Sequence, residues 1–316
     1  MKRELIQQIP FIDEIPPELE FLFLQPYYDL QTNDFKMYIQ DNDKLSFVYA
    51  EPVEACYWSE KIIDDKSDIY IGLLDIISRQ YSYNVMSNIL MGLKNDIINM
   101  SVYIEKYFLL NKNYLENKEI MISSILKTDL ECFFGNTRSI FDLINNIIVV
   151  LYKKRYKKNM PDSFRKLVEK DQVQLRSKYG LQDPMINLLN KWKSFFIDIR
   201  VIRDAIYHGG LSIESVFCFK DGFAFSLNDN ALPIKIFKSL NEWDTNKMKK
   251  NQMVSFLALI SYINTQMLLF LGDFSKALLQ SVPPHNSITK NMKLFLRGPY
   301  IHHLNNLNLY LENPWI

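Results

Sequence analysis

Trp192-Lys-Ser-Phe-Phe-Ile-Asp-Ile-Arg-Val-Ile-Arg-Asp-Ala-Ile-Tyr-His-Gly-Gly210 is the stretch whose reading decides the fold. Trp192, Phe195, Phe196, Ile199, Ile202 and Ile206 recur at helical spacing and form a wide apolar stripe. Two successive glycines stop such a helix, because glycine accepts the left-handed conformation at a helix C-terminus. His208 is therefore expected in or beside the last turn, between a helix and a surface. Arg200, Asp204 and His208 follow one another at four-residue spacing and share one face. Asp204 is expected to accept a hydrogen bond from one imidazole nitrogen and leave the other open. A carboxylate and the negative end of a helix both favour the protonated ring. Histidine titrates near neutrality, so it can still give and take protons. Arg203 carries a permanent charge on a planar fork that suits phosphate oxygens. Such a set suits phosphodiester cleavage without a metal.

Arg203, the polar Asp204, three intervening residues and His208 resemble the signature of the HEPN superfamily, helical domains of prokaryotic toxins, defence systems and RNA-processing enzymes. The resemblance implies an all-helical bundle that dimerises so that two Arg–His pairs line one cleft. It also implies metal-independent endoribonuclease activity. There the 2′-hydroxyl attacks the adjacent phosphate, His208 acts as general acid or base, and Arg203 holds the phosphoryl oxygens. It further admits a neutralising antitoxin or regulator as partner. One subset of the family carries a tyrosine two residues beyond the histidine. Here that position is Gly210, so regulation through that tyrosine is not expected. The resemblance covers residues 115–281.

Helical patterns extend on both sides of this stretch. Asp183-Pro184 reads as a helix start, with Asp capping and Pro in the first turn. A long helix is predicted from Lys118 to Tyr156, with the lone Gly135 marking a kink. A helical reading from Glu60 to Leu110, as one helix or two, precedes it, and Asn111 to Asn117 is a polar break. A short helix is expected around Phe164 to Leu175. After the glycines the period changes to alternation. Leu211 to Phe219, Phe223 to Leu227 and Leu232 to Phe237 read as strands around the turn Asp221-Gly222. Asp244 or Thr245 is expected to start a helix ending near Leu279. Residues 1–58 look irregular around five prolines, with Lys44 to Ala50 a candidate strand, and residues 289–316 carry some helical pattern.

The predicted fold is therefore mainly α: a HEPN-like helical bundle over residues 111–281, with a small antiparallel β insertion at 211–238 after the motif helix. An acidic N-terminal extension (1–110) and a C-terminal tail (282–316) flank it.

Two further constellations bear on chemistry. On the helix before the motif, Arg138, Asp142 and Asn145 make a polar line within an apolar run. By the resemblance, Asp142 or Arg138 either orients His208 or joins the phosphate site. The same line also reads as an exposed stripe with an ordinary Arg–Asp pair. Between Tyr152 and Lys178, ten Lys or Arg residues stand against three acids. Lys153, Lys154, Arg155, Lys157 and Lys158 are interleaved with Tyr152 and Tyr156. Lysines neutralise phosphates while tyrosines offer stacking surfaces to unpaired bases, so RNA is the expected partner. A charged connector is also often merely solvated.

Composition sets the bounds. The chain has 316 residues, 48% of them apolar, and a net charge of +1, which carries no global polyanion-binding signature. Residues 1–78 hold sixteen acidic against six basic residues, so the remainder is basic. Cys56, Cys132 and Cys218 are far apart and show no pairing or zinc-ligand spacing, which points to a reducing cytoplasm. No cofactor or metal motif is found. His302-His303 reads as a surface pair and His285 as structural or incidental. Asn251 to Gly272 carries no charge over 22 positions, enough to span a bilayer. Ser261, Asn264, Thr265 and Gln266 in its middle favour a central bundle helix, with no membrane expected. The functional expectation is a homodimeric cytoplasmic endoribonuclease serving as a toxin or defence effector. A non-catalytic helical module that binds RNA or protein is the alternative.

Overall fold

The computed structural model describes every residue except 1–2, 14, 18–24, 42–43, 82, 118–120, 210–215, 227–246, 290 and 316, and it leaves out the side chains of 206–209 and 251. A one-turn helix α1 (Arg3–Ile6) precedes strands β1 (Tyr27–Asp29), β2 (Asp34–Asp41), β3 (Lys44–Tyr49), β4 (Ala55–Ser59) and β5 (Asp68–Ile69). Helices α2 (Gly72–Gln80), α3 (Met86–Asn117), α4 (Ile122–Tyr156), α5 (Phe164–Val168), α6 (Gln172–Ser177) and α7 (Asp183–Gly209) follow. Next come β6 (Val216–Phe219), β7 (Gly222–Ser226), β8 (Met248–Lys249) and β9 (Met253–Ser255), then helix α8 (Phe256–Ser281). Strand β10 (Lys293–Arg297) and helices α9 (His302–Asn305) and α10 (Leu307–Glu312) complete the order.

The mainly-α expectation is overturned. Among the described residues, helix accounts for 57% and strand for 17%, with a six-stranded mixed sheet and a four-stranded antiparallel sheet, so the protein is mixed α/β. The strands are two to eight residues long, and β10 finds its partners β4 and β5 more than two hundred residues earlier. A local periodicity window registers neither.

Two compact units divide the chain. The first comprises Met1–Asn95, Leu143–Leu188 and Leu271–His302, and it holds the six-stranded sheet in the order β3-β2-β1-β4-β10-β5. Residues 1–58, expected to be largely irregular, supply four of these strands. Strand β10, expected in a tail of helical pattern, is an interior strand between β4 and the edge strand β5: Leu294 pairs with Trp58, Phe295 with Tyr57 and Leu296 with both Cys56 and Ile69. Two buried carboxylates anchor it. Asp75 accepts from the Leu294 amide at 2.9 Å, from the Tyr70 hydroxyl at 2.9 Å and from Nε of Arg79 at 2.8 Å. Asp68, fully buried, accepts from Nε of Arg297 at 2.6 Å and from the Tyr57 hydroxyl at 2.8 Å. Burial opposes the charge on Arg297, but the Asp68 and Glu51 partners more than offset it and hold the guanidinium protonated. Glu60 to Ile71, expected helical, is extended or turn apart from β5, and the helix begins only at Gly72.

The second unit comprises Asp96–Asp142, Leu189–Phe270 and His303–Ile316. Its core is aromatic: the Phe141 ring lies 4.8 Å from Phe270 and 5.1 Å from Phe196, and Trp192 lies 5.7 Å from Phe270. Helix α3 runs through Asn111 to Asn117, where a break was expected, because polar residues without Gly or Pro can occupy a solvent face. Gly135 likewise lies inside an uninterrupted α4. The expected β insertion is part of a larger sheet, ordered β6-β7-β9-β8. The predicted strand Leu232 to Phe237 lies outside the described residues. Helix α8 starts at Phe256 rather than near Asp244, because the Ser255 hydroxyl caps it by accepting from the Ala258 amide at 3.3 Å. In the hairpin, Gly222 has φ +135°, and a Cβ there would collide with the Tyr107 hydroxyl, which accepts from the Phe223 amide. By length and composition α8 could cross a membrane, yet 61% of its most apolar window is buried, and Asn264 donates to the Met100 carbonyl at 3.2 Å.

Candidate functional site

Helix α7 carries the motif to its end. It begins at Asp183 and reaches Gly209, so His208 lies in its last described turn, and the residues after Gly209 that would show the glycine stop lie outside the described residues. The His208 side chain lies outside the described residues. The apolar stripe that fixes the helix is buried: Phe196, Ile199 and Ile202 are wholly inaccessible and Trp192 nearly so. Burial of that stripe turns Arg200, Arg203 and Asp204 outward, where all three are partly exposed.

These three side chains form one cluster. Nη1 of Arg203 donates to Oδ1 of Asp204 at 2.9 Å, and Nε of Arg200 lies 3.3 Å from its Oδ2. Asp204 was expected to orient the histidine; in the structure both of its oxygens face arginines. The arrangement fixes two guanidinium groups in the last three turns of a helix, a placement suited to an anion's oxygens.

Arg138 and Asp142 on α4 pair with each other at 2.5 Å. The Arg138 guanidinium also lies 4.9 Å above the Phe196 ring of α7. Phe196 precedes Asp204 by eight residues, about 12 Å along the helix axis, and His208 by about 18 Å. Arg138 thus meets α7 well before its motif end. Asn145, the third member of the polar line, belongs to the first unit and donates to the Pro161 carbonyl at 3.2 Å.

The basic run lies in the first unit. Lys153, Lys154 and Arg155 occupy the last turn of α4, and Lys157, with φ 55°, turns the chain out of the helix. The Lys154 ammonium lies 5.6 Å over the Tyr83 ring, while Lys157 and Lys158 are exposed. Tyr152 is buried and Tyr156 donates to the Ser281 carbonyl, so these two tyrosines serve packing rather than offering an open stacking face.

No family model, no curated protein and no solved structure matches this chain.

Three polar features escaped the sequence reading. His303, expected at the surface, is 4% exposed. Its Nε2 lies 2.9 Å from Glu105, its Nδ1 lies 2.7 Å from the Tyr310 hydroxyl, and its ring stacks on Phe108. Asp96 on α3 sits in a polar seam with α4, where Asn136 donates to the Asp96 carbonyl at 2.9 Å. Burial raises its carboxyl to about 6, against a hydrogen bond from Ser139. Asp198, on the motif helix itself, is also raised by burial. None of the three has a motif that marks it in one dimension. His285 is buried beside the Tyr83 hydroxyl at 3.2 Å. Among the described residues, no group of three His, Cys, Asp or Glu side chains could hold a metal ion. The thiols of Cys56 and Cys218 are pushed up by burial, Cys56 to about 12, which leaves both protonated at neutral pH.

Proposed function

We propose that the protein is a metal-independent endoribonuclease of HEPN type, working as a homodimeric toxin or defence effector in the cytoplasm. The observation that carries this reading is the end of α7: Arg203, Asp204 and His208 occupy the final turns of one unbroken helix, with a second arginine on Asp204. In the proposed reaction His208 removes the proton from a ribose 2′-hydroxyl. The 2′-oxygen then attacks the adjacent phosphorus, and the bond to the 5′-oxygen breaks. A protonated His208 of the second copy supplies the proton to that leaving oxygen. The products are a 2′,3′-cyclic phosphate and a 5′-hydroxyl. Arg203 stabilises the charge that builds on the phosphoryl oxygens, and Asp204 positions the Arg203 guanidinium. Lys153, Lys154, Arg155, Lys157 and Lys158 would contribute phosphate contacts.

One observation favours a second reading, a non-catalytic helical module that binds RNA or protein. Arg200 and Arg203 both engage Asp204, and Arg138 engages Asp142, so each acid is already paired as it would be on an ordinary helix surface. RNA cleavage in EDTA by wild type and by His208→Ala separates the two. Loss of cleavage in a folded His208→Ala supports the nuclease. The binding module predicts no cleavage by either, with RNA or a protein partner still retained.

A further inference from the structure

The face of the six-stranded sheet that carries Tyr27 has no part in the proposed nuclease. Pairing places Tyr27 opposite Lys36, Lys36 opposite Tyr49, and Tyr38 opposite Phe47. Directly opposed residues project to the same side, so these five share one face. Tyr27 and Tyr38 stack at 5.5 Å with an interplanar angle of 12°. Phe47 meets Tyr38 edge-on at 6.4 Å, and Phe11 from the N-terminal segment tilts against Tyr27 at 5.0 Å. A cavity of about 720 Å³ opens onto these rings. That volume lies within the range of about 300–1,000 Å³ found for small-molecule sites.

The cavity wall also carries a buried charge. Lys36 is 8% exposed, and its ammonium lies 5.6 Å from the Phe47 ring and 5.7 Å from the Tyr27 ring. It pairs with Asp29, and that partnership raises the lysine and lowers the carboxyl, so both are charged at neutral pH. An ammonium has three donors, more than one carboxylate oxygen uses. The lining adds the carboxylates of Asp13 and Glu60 and the amides of Gln8 and Gln31. Among the described residues of the lining, three acids stand against one lysine, a balance that disfavours phosphate and carboxylate ligands. Flat aromatic walls favour a planar ring, and carboxylate and amide oxygens favour ring-bound amino groups.

We infer that this cavity binds an uncharged, amino-bearing planar heterocycle, namely that of an unphosphorylated purine nucleoside. The inference rests on the first unit alone and stands or falls independently of the nuclease reading.

The test is calorimetric titration of the full chain with adenosine, guanosine, AMP and choline. One nucleoside should bind at one site per chain. AMP should bind at least tenfold more weakly than adenosine. Phe47→Ala, at a half-exposed position, should weaken nucleoside binding at least tenfold with an unchanged melting temperature. Lys36→Met should weaken it as well. The proposal is overturned if no nucleoside binds up to millimolar concentration, if AMP binds more tightly than adenosine, or if Phe47→Ala leaves the affinity unchanged. Choline binding without nucleoside binding would also overturn it, because the site would then be a cage for cations.

Discussion

Arg203 and Asp204 are neighbours in the chain and hydrogen-bonded to each other, Nη1 to Oδ1 at 2.9 Å. Successive residues on a helix point about 100° apart, so the contact is made by the reach of the long arginine side chain. The pairing restricts the guanidinium before any substrate arrives, and Arg200 braces the same carboxylate from one turn earlier.

Arg203→Ala is accordingly expected to lower single-turnover RNA cleavage by about 10²–10³, the usual effect of removing one group that stabilises transition-state charge. Asp204→Asn keeps the shape and weakens the brace, and should cost about tenfold, or about 1.4 kcal/mol in the barrier. Both variants should melt close to wild type, since the site is partly exposed. An Asp204→Asn variant that loses stability but keeps its rate would assign the pair to the helix rather than to the reaction.

The buried carboxylate of Asp68 makes a second prediction about β10. Arg297→Met removes its guanidinium partner and leaves a charge enclosed in the sheet, which should cost about 3–5 kcal/mol in urea denaturation. The double variant Asp68→Leu with Arg297→Met should recover most of that loss. Wild-type stability in the single variant would contradict the place of β10 between β4 and β5.

Asp96 predicts a pH dependence. Burial raises its folded carboxyl to about 6, above the unfolded value of about 3.9. Between those values the folded state binds more proton, so this group favours folding as pH falls from 7 toward 4. Above pH 6 it is charged within the α3–α4 seam at a cost. Asp96→Asn should therefore stabilise the protein at pH 7–8 by about 1–2 kcal/mol, a figure reduced for partial solvation. It should also flatten the stability profile between pH 4 and 6. Thermal melts of both proteins across pH 4–8 check the sign.

The parts of the fold that were legible in one dimension are those whose causes are local. The start of helix α7 is one such case: Asp183 and Pro184 are its first two residues, although Gln182 accepts the first helical bonds and the Asp183 carboxylate accepts from Arg176 at 2.9 Å instead of capping the helix. Helix α4 ends at Tyr156, as read from its pattern. Strand β10 was hidden because Lys293-Leu-Phe-Leu-Arg297 is short and its partners, Ala55–Ser59 and Asp68–Ile69, lie more than two hundred residues earlier. His303 was misread for the same reason, since Glu105 reaches it only through the fold. At the candidate site the spacing of Arg200, Arg203 and Asp204 located the cluster. It could not show that Asp204 turns toward two arginines, because that choice depends on side-chain reach.

The most direct measurement is cleavage of mixed RNA in EDTA by wild type and His208→Ala, followed by analysis of product ends. The expected result is cleavage by wild type alone, leaving 2′,3′-cyclic phosphates and 5′-hydroxyls, with the variant folded and of unchanged oligomeric state. Equal cleavage by the folded His208→Ala variant, or no cleavage by either protein, would contradict the nuclease assignment.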